Sequence, residues 1–143
     1  MNPQYPFVSA RARHICEYCH APEAIFNLPF EVEHITPRAS GGESSADNLA
    51  LSCRSCNLYK SAAVAALDEQ SNQSVRLFHP RRDEWREHFT IIAETGEIQG
   101  LTDIGRATVR RLHINNAAQV AARRQWIKLG FIRGVKPQPE REL

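Results

Sequence analysis

Two Cys-x-x-Cys pairs, Cys16/Cys19 and Cys53/Cys56, bracket a Glu33-His34 dipeptide and run directly into Asn57 and, three residues on, Lys60. Two such turns bring four sulfurs to one point, the tetrahedral thiolate set that zinc favours, and they leave no position open for a substrate. Zinc there is a staple. The 33 residues between the pairs, 20–52, exceed what a simple ribbon needs, so they house something more. Glu33 offers a carboxylate and Asn57 an amide carbonyl, hard oxygen donors suited to Mg²⁺ or Mn²⁺ completed by water and phosphate. His34, neutral near pH 7, is then available as a general base. Lys60 shares a helical face with Asn57, where its ammonium could meet a phosphate. Singly, each has a blander reading: a structural histidine, an asparagine cap, and Asn48 as a loop residue whose amide bonds backbone. Their combination argues for chemistry.

Such groups need short, anchored elements. Residues 15–19 read as a tight turn presenting two sulfurs, and 31–35, after Pro29 and before Pro37, as a short strand. Neighbours on a strand start from opposite faces, so Glu33 and His34 converge only if the strand ends there. Pro37 and the Gly41-Gly42 loop mark such an end. Residues 49–52 form a second strand. From about Ser55 the chain is expected to be helical, with Leu58, Ala62, Ala65 and Ala66 on one face. Residues 1–12 read as a loose lead-in and 67–73 as a linker or turn. A short strand over 75–78, helical turns over 82–88 and a hairpin of 89–93 with 98–101 follow. Thr102 caps a helix to about His113, and Asn115 or Asn116 caps a last helix ending at Leu129 before Gly130. The fold class is α+β: a strand–loop–strand–helix core over 1–66, and an α/β extension over 67–143 packed on it, with the tail 136–143 disordered.

The motifs resemble those of the HNH endonucleases, with the ββα-metal fold, in their form with a four-cysteine zinc site. The matching residues are Cys16-x-x-Cys19, Glu33-His34-Ile35-x-Pro37, Gly41-Gly42, Asn48-Leu49 and Cys53-x-x-Cys56-Asn57-x-x-Lys60, so the likeness covers residues 11–61. It implies that His34 activates water for attack on a phosphodiester and that Glu33 and Asn57 hold the catalytic divalent ion. It also implies 5′-phosphate and 3′-hydroxyl ends. Asn48 is implied to tie the loop down and orient the histidine strand, and Lys60 to lie near the phosphate. Many members carry histidine in place of Asn57 and aspartate in place of Glu33. The asparagine should favour Mg²⁺ or Mn²⁺ over softer metals, and the glutamate must fold back by one methylene. The stretches PRRDEWREHF and GLTDIGRATVRRL are faintly similar to the tails of small bacterial HNH proteins.

The bulk numbers fit that resemblance without adding chemistry. A chain of 143 residues, 42% hydrophobic and 24% charged, is one ordinary globular domain with a modest core. It has no apolar run long enough for a membrane helix and no signal peptide, so no membrane partner and a cytoplasmic location are expected. In a reducing compartment four cysteines in two pairs mean metal, not disulfides. The net charge of +2 hides an asymmetry: the window 104–139 holds eight basic residues, Arg106, Arg110, Arg111, Arg123, Arg124, Lys128, Arg133 and Lys136, and no acidic one. Such a window suits a polyanion, or else is a solvated helix face. The expected nucleic-acid contacts are Arg38, Lys60, Arg106, Arg110, Arg123 and Arg124, with DNA as partner, RNA as the alternative, and a homodimer left open. His14, His20, His79, His88 and His113 are taken as structural or surface. The main rival function is a non-catalytic zinc-stabilised DNA-binding module using the two C-terminal helices.

Overall fold

The strand pair and helix that the spacing demands are present, and each is held by named contacts. In the computed structural model, which describes residues 1–134, β1 (Glu31–His34) pairs antiparallel with β2 (Leu49–Ser52), with Glu33 opposite Ala50 and His34 opposite Leu49. Lys136 and the tail 136–143 lie outside the described residues. The 14-residue connection is closed by Asn48, whose carbonyl oxygen accepts from Ile35 N at 2.9 Å. A helix, here α2 (Arg54–Lys60), follows at once, capped by the Cys53 sulfur accepting from Cys56 N.

Two expectations fail here. Residues 1–12 are not a loose lead-in: Tyr5–Arg11 form α1, which buries Val8 against the core. Arg11 locks it by donating to the carbonyls of Ala46 (2.7 Å) and Leu49 (2.6 Å). Nor does the helix after Cys53 run on to residue 66. It stops at Lys60, Ser61 turns it with a φ of +50°, and Ala65–Asp68 become a strand, β3, paired with β4 (Gln73–Arg76). Alanine favours helix by only tenths of a kcal/mol, so pairing and packing against a later helix override it. The boundary at 66 therefore falls inside β3.

The rest of the extension is α3 (Trp85–His88), the hairpin β5 (Phe89–Ile91) and β6 (Ile98–Gly100), then α4 (Asp103–Arg111) and α5 (Ala117–Lys128). Thr102 and Asn116 cap the last two, accepting from Gly105 N and Gln119 N, contacts that contribute about 1 kcal/mol each. Among the described residues the strands form three separate two-stranded sheets and no larger one. One buried cluster organises the molecule instead, running from the four cysteines through Tyr18, Leu49 and Leu51 to Phe78, Phe89, Leu112 and Trp126. No helix among the described residues is long and apolar enough to cross a membrane.

Candidate active site

The four cysteine sulfurs lie within 4.8 Å of one another and all four residues are buried. Cys19 Sγ and Cys53 Sγ are 3.7 Å apart. Four sulfurs at about 2.3 Å from a central zinc would stand about 3.8 Å apart, so a donor set gathered this closely suits the ion. The thiols hydrogen-bond one another, which holds Cys19 well below the ordinary thiol range and pushes Cys53 and Cys56 well above it, so without an ion the four share protons between them. The site is closed: Tyr18, between the first two ligands, is fully buried, and its carbonyl accepts from Trp85 Nε1 at 2.9 Å. The His20 ring stacks on Trp85 at 3.8 Å.

Strand β1 and helix α2 face each other as a ladder with two rungs. Strand alternation puts Glu31 and Glu33 on one side, and helical spacing does the same for Asn57 and Lys60. The inner rung is Glu33 with Lys60, Oε1 to Nζ at 2.6 Å, with the two side chains only 5% and 1% exposed. Lys60 Nζ also donates to the Ile35 carbonyl at 3.0 Å. Approach to Glu33 is close but poorly angled, leaving its carboxylate oxygens short of well-formed hydrogen bonds. Burial, which outweighs Lys60, raises the Glu33 pKa. The outer rung is Glu31 with Asn57: the Asn57 amide donates to Glu31 Oε2, while Arg54 donates to Oε1 at 3.0 Å. Glu31 is 33% exposed, and with Asn57 it lines an open cavity of about 480 Å³ beside Asn2, Tyr5 and Phe30.

Two of the expected site residues have these partners in the structure. Asn57 meets Glu31, not Glu33, because Glu33 points inward to Lys60. Lys60 is not a surface cation, because its ammonium is committed to Glu33 and the Ile35 carbonyl.

His34 projects the other way. Its Nε2 lies 2.8 Å from Ser44 Oγ and 3.4 Å from Arg38 Nε, and Arg38 Nη2 donates to the same Ser44 oxygen at 2.7 Å. Arg38 has only donors, so the histidine nitrogen facing it carries the lone pair. Partial burial, then the Arg38 charge, lowers the His34 pKa below its usual 6.5. The ring is thus neutral at pH 7 with an acceptor turned to the loop. That loop is drawn tight by Asn48: Oδ1 accepts from Thr36 N at 2.9 Å, and Nδ2 donates to the carbonyls of Thr36 (3.0 Å) and Glu43 (2.7 Å). The two glycines serve it differently. Gly41 takes a φ of +88°, and a Cβ on Gly42 would come within 1.8 Å of the Thr36 carbonyl oxygen.

The expected DNA-contacting arginines divide. Arg38 and Arg124 are exposed. Arg123 is 0% exposed and donates to the carbonyls of Gly96 (2.7 Å) and Ile114 (3.0 Å), so it supports the β5–β6 turn and cannot reach a phosphate. Arg106 grips Asp68 through two hydrogen bonds of 3.0 and 2.9 Å, and Arg110 pairs with Glu69 at 3.1 Å. Both are held by the β3–β4 turn. Of the other histidines, His14 bonds Glu23, His88 bonds Thr102, and His113 lies against the Tyr59 ring.

The sequence reading missed Glu31 and Ser44. Glu31 was findable, since a period of two puts it on the face of Glu33, one rung closer to the helix start. Ser44 carries no local signal. The stretch 16–63, which contains both rungs, His34 and all four cysteines, matches the family model described as HNH endonuclease. No curated protein and no solved structure matches the chain.

Proposed function

We propose that the chain, whose residues 16–63 match the family model described as HNH endonuclease, is a divalent-metal-dependent nuclease hydrolysing phosphodiester bonds of DNA. The observation that supports this best is the His34 environment: a neutral imidazole with its lone pair fixed by Arg38 and Ser44, on a strand end tied down by Asn48. A bound DNA phosphate would draw Arg38 towards itself, freeing Nε2 to take a proton from a water molecule. The water oxygen then bonds to phosphorus as the bond to the 3′-oxygen breaks. The 5′-phosphate stays on one fragment, and the 3′-oxygen leaves as a hydroxyl after taking a proton from solvent.

Two donors on the open face fit a hard divalent ion, the Asn57 carbonyl and the Glu31 carboxylate, with the adjoining cavity leaving room for water. When bound, Mg²⁺ or Mn²⁺ would neutralise charge developing on the phosphate. Glu33 in this reading is a structural partner of Lys60. On the helix pair α4–α5, which the rival reading of a DNA-binding module would use, Arg123 points inward and Arg106 is gripped by Asp68, while Arg111, Arg124 and Lys128 are exposed.

Cleavage of supercoiled plasmid by the zinc-loaded chain, with and without Mg²⁺ or Mn²⁺, tests the reading. Metal-dependent nicking should fall by about 10²–10⁴ in a folded His34→Ala variant. Cleavage that survives His34→Ala, or none in the wild type, overturns it. Mn²⁺ titration followed by electron paramagnetic resonance tests the ligands: Glu31→Gln should abolish binding and Glu33→Gln should not.

A further inference from the structure

One cavity next to this site has no part in the chemistry above. Directly past His34, Ile35 and Thr36 form one wall of a cavity of about 300 Å³ whose opposite wall comes from the extension. The two sides differ in character. Val64, Leu77 and Phe78 supply an apolar surface, with Val64 48% exposed. His79 and Arg82 supply polar groups. His79 Nδ1 accepts from Arg81 N at 3.1 Å, so the neutral ring carries its proton on Nε2 and has a donor to offer. Arg82 is exposed and has no ion-pair partner among the described residues, unlike Arg76, Arg81, Arg106 and Arg110. The loop is preformed: Asp83 accepts two hydrogen bonds from Arg76, at 2.7 and 2.9 Å, and one from His79 N at 2.8 Å.

An apolar wall, a fixed donor and a free guanidinium suit a base and its phosphate. The volume lies at the small end of ligand cavities. An intact duplex, whose major groove alone is about 12 Å wide, cannot enter. Building on the nuclease reading, we propose that this cavity receives one unstacked nucleotide beside the scissile phosphate. The preferred substrate class is then DNA with an unpaired nucleotide at the cutting position, in a bulge, gap or flap. Unstacking a paired base costs a few kcal/mol and an unpaired one much less, so a one-nucleotide cavity selects for interrupted duplex. Arg82 would take the adjoining phosphate, and the apolar wall the base.

The test reads binding without cleavage. Fluorescence anisotropy of the zinc-loaded full chain, in the His34→Ala background, compares a fully paired duplex with the same duplex carrying a one-nucleotide bulge. The bulged duplex should bind about tenfold more tightly. Val64→Trp, which fills the cavity from an exposed position, and Arg82→Glu should each remove that preference, with thermal melts checking the fold. Equal affinities in the parent protein, or a preference that survives both substitutions, would overturn the proposal. A wild-type chain that never cuts DNA would instead overturn the nuclease reading while leaving this binding result intact.

Discussion

In both parts of the molecule the cations divide between paired or buried ones and exposed ones, Arg38 in the first part and Arg82 and Arg124 in the extension being exposed. In the extension, the run 104–134 contains Arg106, Arg110 and Arg123, yet the first two are matched by Asp68 and Glu69, and the third is buried on backbone carbonyls. The first part of the chain, residues 1–66, has fewer basic residues, but Arg38 there is exposed and stands beside His34. Carboxylates divide in the same way within a few ångströms: Glu31 faces open space while Glu33 is sealed against Lys60. The number of charges in a segment therefore says little about grip. What matters is which of them tertiary packing buries, since a buried cation such as Arg123 cannot reach a phosphate, whereas an exposed pair such as Arg110 with Glu69 is weak and can be exchanged for one.

The comparison can be broken most forcefully through the metal. Structural zinc contributes about 10–16 kcal/mol at pH 7, as much as the whole stability of an ordinary domain. Both tryptophans, Trp85 and Trp126, lie in the extension, and Trp85 bonds the Tyr18 carbonyl between two zinc ligands. Chelation should abolish tryptophan fluorescence structure and far-ultraviolet circular dichroism in one transition. If the tryptophan signal persists while residues 1–66 unfold, the two parts are independent and the shared core is not what joins them.

The inner rung comes next. Lys60→Met strands the Glu33 carboxylate in the interior and should destabilise the chain by about 3–5 kcal/mol in denaturant melts at pH 8, whereas the double variant with Glu33→Gln should recover most of that. The pH dependence has a definite sign. Burial already raises the Glu33 pKa, and a carboxyl with a raised folded-state pKa favours the native state at low pH and loses that advantage as pH rises. The deficit of Lys60→Met should therefore shrink from pH 8 towards pH 5. A deficit that grows on acidification would show that Glu33 is not the group left unpaired.

Smaller effects sharpen the contrast between cations. Arg38→Ala should lower the slope of log affinity against log salt by about one, and a folded Arg123→Met variant should leave it unchanged. Arg110→Ala should alter stability by less than about 1 kcal/mol, as exposed ion pairs do. Equal slopes for the Arg38 and Arg123 variants would erase the distinction. Arg38→Ala should also move the acid limb of the pH–rate profile to higher pH, because the arginine contributes to holding the His34 pKa down.

The amino-acid sequence by itself determined the four-cysteine cluster and the local elements whose signals are short in range. Cys-x-x-Cys turns, Thr102 and Asn116 as caps, and the hairpin around 94–97 each need only a few neighbouring residues to specify them. It also placed His34 at a strand end and Asn48 where its amide would bond backbone. Tertiary structure alone decided which polar groups meet. Glu31 and Glu33 are two residues apart and chemically alike, and only the docking of α2 on β1 puts one at the rim and the other beside Lys60. The same holds for residues 61–68, where pairing of Ala65–Asp68 with Gln73–Arg76 outweighs the helix preference of four alanines, and for Arg123, turned inward by the packing of α5 on the β5–β6 turn. Local propensity is worth tenths of a kcal/mol per residue, and the burial or pairing of one charge is worth several, so long-range contacts decide wherever the two compete.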